Sequence, residues 1–168
     1  MVYGAFAYLS NLDPRDKKYV DKLLIISPLS AFGPWELEYE ECFGVKPSTK
    51  RLNGKVPIEE KKQYLYALSP AKITLLSYAS VPSLKEELIY FLRNNRAMVV
   101  LDEAHKIKNT AGGVTATGVL DIAAYCSARV VLTGTPAPNG YEDLYNLYKF
   151  IWPTKKVLPF EVYQLKDM

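Results

Sequence analysis

"VVLDEAHKIKN", residues 99–109, decides how the rest of the chain reads. An apolar run, extended upstream by Met98, ends in two adjacent carboxylates, the chain's single histidine and a basic segment. Residues that are apolar in succession, rather than alternately, suit a strand covered on both faces. A carboxylate at the end of such a strand is costly unless a cation or hydrogen-bond donors meet it. The pair therefore has two readings. Asp102 or Glu103 caps the turn or helix that follows, or Asp102 holds Mg2+, directly or through water, while Glu103 polarises an attacking water.

Working outward, three further apolar runs end in small or polar residues: "KLLIISP" (22–28), "AKITLLSY" (71–78) and "ARVVLTGTP" (128–136). Between the runs lie segments of helical character at 30–44, 57–69, 81–95 and 112–127, and "LNGK" (52–55) reads as a turn. Strand alternating with helix predicts an α/β fold with a parallel sheet, whose functional residues gather in the loops at the strands' carboxyl ends. The notable residues fall there: Ser27-Pro28, Ser77-Tyr78, Asp102-Glu103 and Thr133-Gly134-Thr135.

The 168 residues, 49% hydrophobic and 23% charged, fit one soluble globular domain. No apolar run approaches the roughly 18 residues of a membrane span, and "MVYGAFAYLSNL" lacks the basic region that opens a signal peptide. A cytoplasmic protein is expected. The net charge of +3 is too mild to establish nucleic-acid binding by itself. Cys42 and Cys126 have no ligand spacing around them and read as reduced thiols without chemistry. Thirteen tyrosines invite a base-stacking reading. Tyr64, Tyr66, Tyr90, Tyr145 and Tyr148, however, sit at helical spacing among Leu and Phe, which predicts core or interface packing.

With its apolar lead, Asp102-Glu103-Ala104-His105 resembles motif II of superfamily-two helicases, and Lys106, Ile107, Lys108 and Asn109 extend it as in the Swi/Snf branch. "LLIISPLSAFGPWELEYEECFG" is similar to motif Ia, with Ser27, Pro28, Trp35 and either Glu36 or Glu38. "ITLLSYASV" resembles motif Ib. "VVLTGTPAPNGYEDLYNLYKFIWP" resembles motif III, including Thr133, Gly134, Thr135, Pro136, Asn139, Glu142, Leu144 and Pro153. Residues 1–163 thus look like the first RecA-like lobe of a Swi/Snf-type DNA-dependent ATPase.

The resemblance implies a three-layer RecA-like parallel sheet of the P-loop NTPase type, with ATP and Mg2+ as cofactors of the complete motor and double-stranded DNA as partner. It implies Asp102 as the metal carboxylate, Glu103 as the water-orienting acid, and His105 as a link from the nucleotide to motif III and DNA. Thr133, Gly134 and Thr135 would couple hydrolysis to lobe movement. Ser27, Pro28, Ser77, Tyr78, Lys108 and Asn109 would lie along the DNA, where hydroxyls, backbone N–H groups and lysines can bind phosphates without sequence preference, and Ser30 and Lys106 are further candidates. The location would follow the DNA: nucleoid-associated in a prokaryotic cytoplasm, nuclear in a eukaryote.

One departure matters. These ATPases need a glycine-rich loop ending in Gly-Lys-Ser/Thr to cradle phosphates, and no such sequence occurs in the 168 residues. The opening residues look like the remainder of the helix after that loop, so the lobe is expected to be incomplete at its N-terminus. The second lobe is expected to lie elsewhere too. Both would come from the same polypeptide or another chain, or self-association would substitute for them. The expectation is a part of an ATP-driven motor that is inactive alone. The alternative is a non-catalytic nucleic-acid-binding or assembly module derived from such a lobe. An unrelated hydrolase or phosphatase using Asp102 and Glu103 would need a nucleophile or second metal cluster, and the sequence offers neither at convincing spacing.

Overall fold

A computed structural model describes residues 2–104, 114–133 and 149–153. The apolar runs become strands: β1 (Lys22–Ser27), β3 (Ile73–Ser77), β4 (Ala97–Leu101) and β5 (Ala128–Val131). With β2 (Thr49–Leu52) they form one five-stranded sheet, ordered β2-β3-β1-β4-β5. Every pairing is parallel. The helices are α1 (Val2–Ser10), α2 (Phe32–Phe43), α3 (Ile58–Tyr66), α4 (Lys85–Asn94) and α5 (Val114–Ile122).

Strand periodicity sorts the core into two halves, because successive side chains point to opposite faces. Leu23, Ile25, Ile73, Leu75, Met98 and Val100 face α1 and α2, where they meet Tyr3, Phe6, Phe32 and Trp35. Leu24, Ile26, Leu76, Val99 and Leu101 face the other layer, packing with Leu65 of α3, Leu88 and Phe91 of α4, and Val119 and Ile122 of α5. The result is the expected three-layer α/β arrangement. Being covered on both sides, β3 and β4 are buried at every residue, which is why their sequences do not alternate.

Local sequence explains several helix boundaries. In α4 the buried Leu88, Phe91 and Leu92 recur at helical spacing, and Glu86 and Glu87 open the helix while Arg93 closes it, as the helix dipole favours. Helix α2 stops at Gly44, whose φ of 71° sits in the left-handed region and whose N–H returns to the Glu40 carbonyl at 2.8 Å. Gly118 lets α5 close on the turn before α4, since a methyl there would stand 3.2 Å from Val81 Cγ1.

Three findings refine the expectation. Strand β2 was not foreseen, because "TKRL" is short, polar and fully buried only at Leu52. The sheet is continuous with β1 at its centre; among the described residues the outer edges of β2 and β5 both pair with nothing, and β5 is half-exposed throughout. Tyr66 and Tyr90 are not core residues. They are 46% and 40% exposed and pack edge-on against each other on the surface of α3 and α4, ring centroids 4.8 Å apart. Tyr145 and Tyr148 lie outside the described residues. Both cysteines are unpaired, Cys42 exposed and Cys126 buried. No helix among the described residues is long and apolar enough to cross a membrane.

Candidate functional site

Strand register brings three strand ends level. Ser27 pairs with Ser77 across β1 and β3, and Ile26 pairs with Leu101 across β1 and β4, so Asp102 emerges beside Ser27. Its surroundings hold it from three directions. The Asp102 backbone N–H donates to the Ile26 carbonyl at 2.9 Å, continuing the ladder one residue past the strand. The Tyr78 hydroxyl donates to the Asp102 carbonyl at 2.7 Å. The Trp35 indole N–H donates to the carboxylate Oδ2 at 2.9 Å.

Each clamp has its own support. Phe32, Trp35 and Tyr39 recur at helical spacing on the buried face of α2, which aims the indole at the sheet. The buried Tyr3 of α1 donates from its hydroxyl to the Trp35 carbonyl at 2.6 Å and meets the indole edge-on, centroids 5.6 Å apart. Burial raises the Tyr3 hydroxyl well above the usual phenol range. Tyr78 is raised in the same way, first by burial and then by the negative charge of Asp102 and Glu103. Both phenols therefore remain protonated donors across ordinary pH.

Beyond Asp102 the backbone turns sharply. Glu103 has a φ of 53°, a left-handed conformation uncommon for a residue with a long side chain and of a kind that clusters at functional sites. The N–H of buried Ala104 then donates to the Leu132 carbonyl at 2.8 Å, and the Leu132 N–H donates to the Leu101 carbonyl at 2.9 Å. The acidic turn is thereby fastened to the end of β5, one residue before Thr133. His105, Lys106, Lys108, Asn109, Gly134, Thr135, Asn139 and Glu142 lie outside the described residues.

Asp102 forms part of the wall of a cavity of about 370 Å³ lined by Val2, Ala31, Pro34, Trp35, Glu38 and Leu132. A divalent cation fits this wall. The carboxylate has one oxygen taken by the indole and another to offer, and Glu38 adds negative charge. No group of three or more His, Cys, Asp or Glu capable of holding a metal occurs among the described residues. Mg2+ characteristically uses one or two carboxylates together with waters and substrate phosphates. A triphosphate fits this lining poorly, because none of its residues is cationic.

The residues expected along DNA are placed differently from one another. Ser27 is fully buried, its hydroxyl donating to the Pro28 carbonyl at 3.2 Å. Ser77 is 9% exposed and shares a 2.9 Å hydrogen bond with Ser80. Tyr78 is buried in its bond to Asp102, Pro28 is half-buried, and Ser30 stands exposed in the turn after β1. Sequence reasoning missed Lys61, buried on α3 with its ammonium 3.4 Å from Ser80 Oγ. A lysine in an acidic, lysine-rich helix gave no signal of that placement.

With this geometry in view, residues 5–162 match the family model described as the SNF2-related domain. The SWI/SNF chromatin-remodeling complex subunit snf22 of Schizosaccharomyces pombe is 30% identical over 77% of the chain. Helicase SWR1 of Cryptococcus neoformans is 34% identical over 82% of it, and the DNA repair and recombination protein RAD54B of Homo sapiens 28% over 82%. The matched part covers 7%, 11% and 14% of those three proteins.

Proposed function

Because the chain belongs to the SNF2-related family, we propose that it supplies the metal-binding carboxylate and DNA-facing loops of an ATP-dependent DNA translocase lobe. The carrying observation is the triple anchoring of Asp102 at the end of a buried strand, with its carboxylate facing a cavity. A helix-capping acid needs no such construction.

In this reading Asp102 holds Mg2+ and Glu103, placed by its left-handed backbone, orients the attacking water. Bound Mg2+ would neutralise charge on phosphate oxygens. His105, Thr133, Gly134 and Thr135 pass the state of the nucleotide to the rest of the lobe. The Ala104 and Leu132 hydrogen bonds support such a path, since they join the acidic turn to the residue that follows β5. Ser30, Lys108 and Asn109 contact phosphates of double-stranded DNA, with Ser27, Pro28, Ser77 and Tyr78 shaping the loops that present them. Being bound to DNA, the protein would work in the nucleoid or the nucleus.

The phosphate cradle is a separate part. No Gly-Lys-Ser/Thr loop is present in the sequence, and among the described residues no cationic side chain lines the cavity. ATP turnover in this reading requires an additional segment and a second lobe, in the same polypeptide or from another chain, and an additional strand can pair at an edge that is open among the described residues, that of β5 beside the acidic turn or that of β2.

Two measurements test this function. Double-stranded DNA should bind with an affinity that falls as salt rises, since phosphate contacts release counterions. The pure 168-residue chain should show little or no DNA-stimulated ATP hydrolysis. A flat DNA titration at low salt removes the DNA role, and steady hydrolysis by the pure chain contradicts the division of the site. Salt-dependent DNA binding that Asp102→Asn leaves unchanged, in a protein that takes up no divalent cation, would favour a non-catalytic binding module.

A further inference from the structure

We infer that Trp35 is a positioning residue for the metal carboxylate: its indole N–H holds Oδ2 of Asp102 so that Oδ1 is presented to a divalent cation. This rests on the assignment of Asp102 as the metal-binding group.

The Asp102 backbone is fixed by Ile26 and Tyr78, so the remaining freedom is rotation of a short side chain about two bonds. An unheld carboxylate would exchange its two oxygens by rotation. Trp35 removes that freedom with a 2.9 Å hydrogen bond from an element 67 residues away in sequence. The donor is itself rigid, because the indole is 7% exposed, is packed edge-on by Tyr3, and has its backbone carbonyl tied to the Tyr3 hydroxyl.

The chemistry suits the role. An indole has one N–H and no acceptor, so it can hold a carboxylate oxygen and never compete for the cation. A hydrogen bond to the other oxygen of a ligating carboxylate orients it, and losing such a partner typically lowers metal affinity about 10–100-fold. A buried indole also needs some acceptor, which alone would explain a bond to any carbonyl nearby. Here the acceptor is the one carboxylate that ends β4 at the cavity wall, and both residues line that cavity.

The test uses the whole chain, with Mn2+ as a paramagnetic stand-in for Mg2+. Nuclear magnetic resonance follows broadening of the Leu101 and Asp102 backbone amides as Mn2+ is added. In the wild type these amides should broaden, and Asp102→Asn should abolish the local effect. Trp35→Phe keeps the ring packing and loses the donor. Its spectrum should stay dispersed while the Mn2+ concentration at half-effect rises about 10–100-fold. Tyr3→Phe separates stability from positioning: it removes a neighbouring hydrogen bond but keeps the indole, so the protein should melt earlier with the Mn2+ midpoint nearly unchanged.

Local broadening with equal midpoints in wild type and Trp35→Phe overturns the role of Trp35 and leaves the metal site standing. No local broadening in the wild type, at any concentration the protein tolerates, overturns the metal assignment and the role of Trp35 with it. If Trp35→Phe does not fold, the indole resonance of Trp35 decides. The chain has two tryptophans, so it is readily assigned. It should shift upfield and exchange faster with water in Asp102→Ala, and an unchanged resonance overturns the proposal.

Discussion

Tyr78→Phe deletes one hydroxyl and leaves the ring in place, so its effect can be worked out from a single contact. The hydroxyl donates to the Asp102 carbonyl at 2.7 Å, and Tyr78 is 7% exposed, so water has little access to replace it. A typical hydrogen bond contributes about 1 kcal/mol net, and stranding its buried partner raises the cost to about 1–3 kcal/mol. In a domain of this size each kcal/mol moves the melting temperature by about 2–4 °C, which gives a fall of about 2–12 °C. Thermal unfolding followed by circular dichroism measures it, with Tyr66→Phe as a control at a tyrosine that is 46% exposed. The pH dependence adds a second check. The folded Tyr78 hydroxyl is raised above its ordinary 10.0 by burial and by Asp102 and Glu103. Its contribution is therefore fully present below pH 10 and is lost as pH rises toward the folded value, because only the unfolded phenol ionises readily. The gap between wild type and Tyr78→Phe should narrow above pH 10. An unchanged melting temperature at neutral pH, or a gap that widens in alkali, refutes the strut between Tyr78 and Asp102.

Other perturbations probe separate parts of the molecule. Phe91→Ala, at a fully buried position between α4 and the sheet, should cost about 3–5 kcal/mol in chemical denaturation, and a loss comparable to a surface substitution would contradict the assigned core. Glu103→Gly should be more stable than Glu103→Ala by about 1 kcal/mol, because both lose the contacts of the side chain and only glycine relieves a left-handed backbone; equal stabilities would show that the conformation there is not strained. Burial pushes the Cys126 thiol up to about 12, so it stays protonated and shielded while Cys42 is exposed. One thiol should react rapidly with a thiol reagent in the native protein and both after unfolding; two fast thiols in the native state would contradict the packing of Cys126.

Much of the fold was legible because the central strands are covered on both faces. That condition writes itself as unbroken apolar runs, so β1, β3 and β4 and the helices between them could be read from pattern alone, while β5, half-exposed at the edge, was legible only as its short run Val130-Val131-Leu132. Strand β2 lies at an edge, is four residues long and contributes one fully buried side chain, Leu52, so it left no comparable trace. That Tyr66 and Tyr90 lie outside this core was not legible for a related reason: helical spacing shows that residues share a face, not whether the core or an interface covers it. In the site, Asp102 and Glu103 were legible as acids at a strand end. The bonds that hold Asp102 were not, because they join α2 and the loop after β3 to the end of β4 across 67 and 24 residues. The inward turn of Ser27 and Ser77 was likewise invisible, since a serine after a strand carries no mark of which way its hydroxyl points.

The central claim is that Asp102 is a metal carboxylate of a nucleotide site, and the most direct measurement is anomalous scattering from crystals of the chain soaked in Mn2+ with a non-hydrolysable ATP analogue. The account predicts a manganese peak at Asp102, about 2 Å from Oδ1 if bound directly or one water further out, with the Trp35 bond to Oδ2 intact and no peak there in Asp102→Asn crystals. Manganese bound elsewhere with the Asp102 carboxylate unengaged, or a peak at the same place that survives Asp102→Asn, would contradict it.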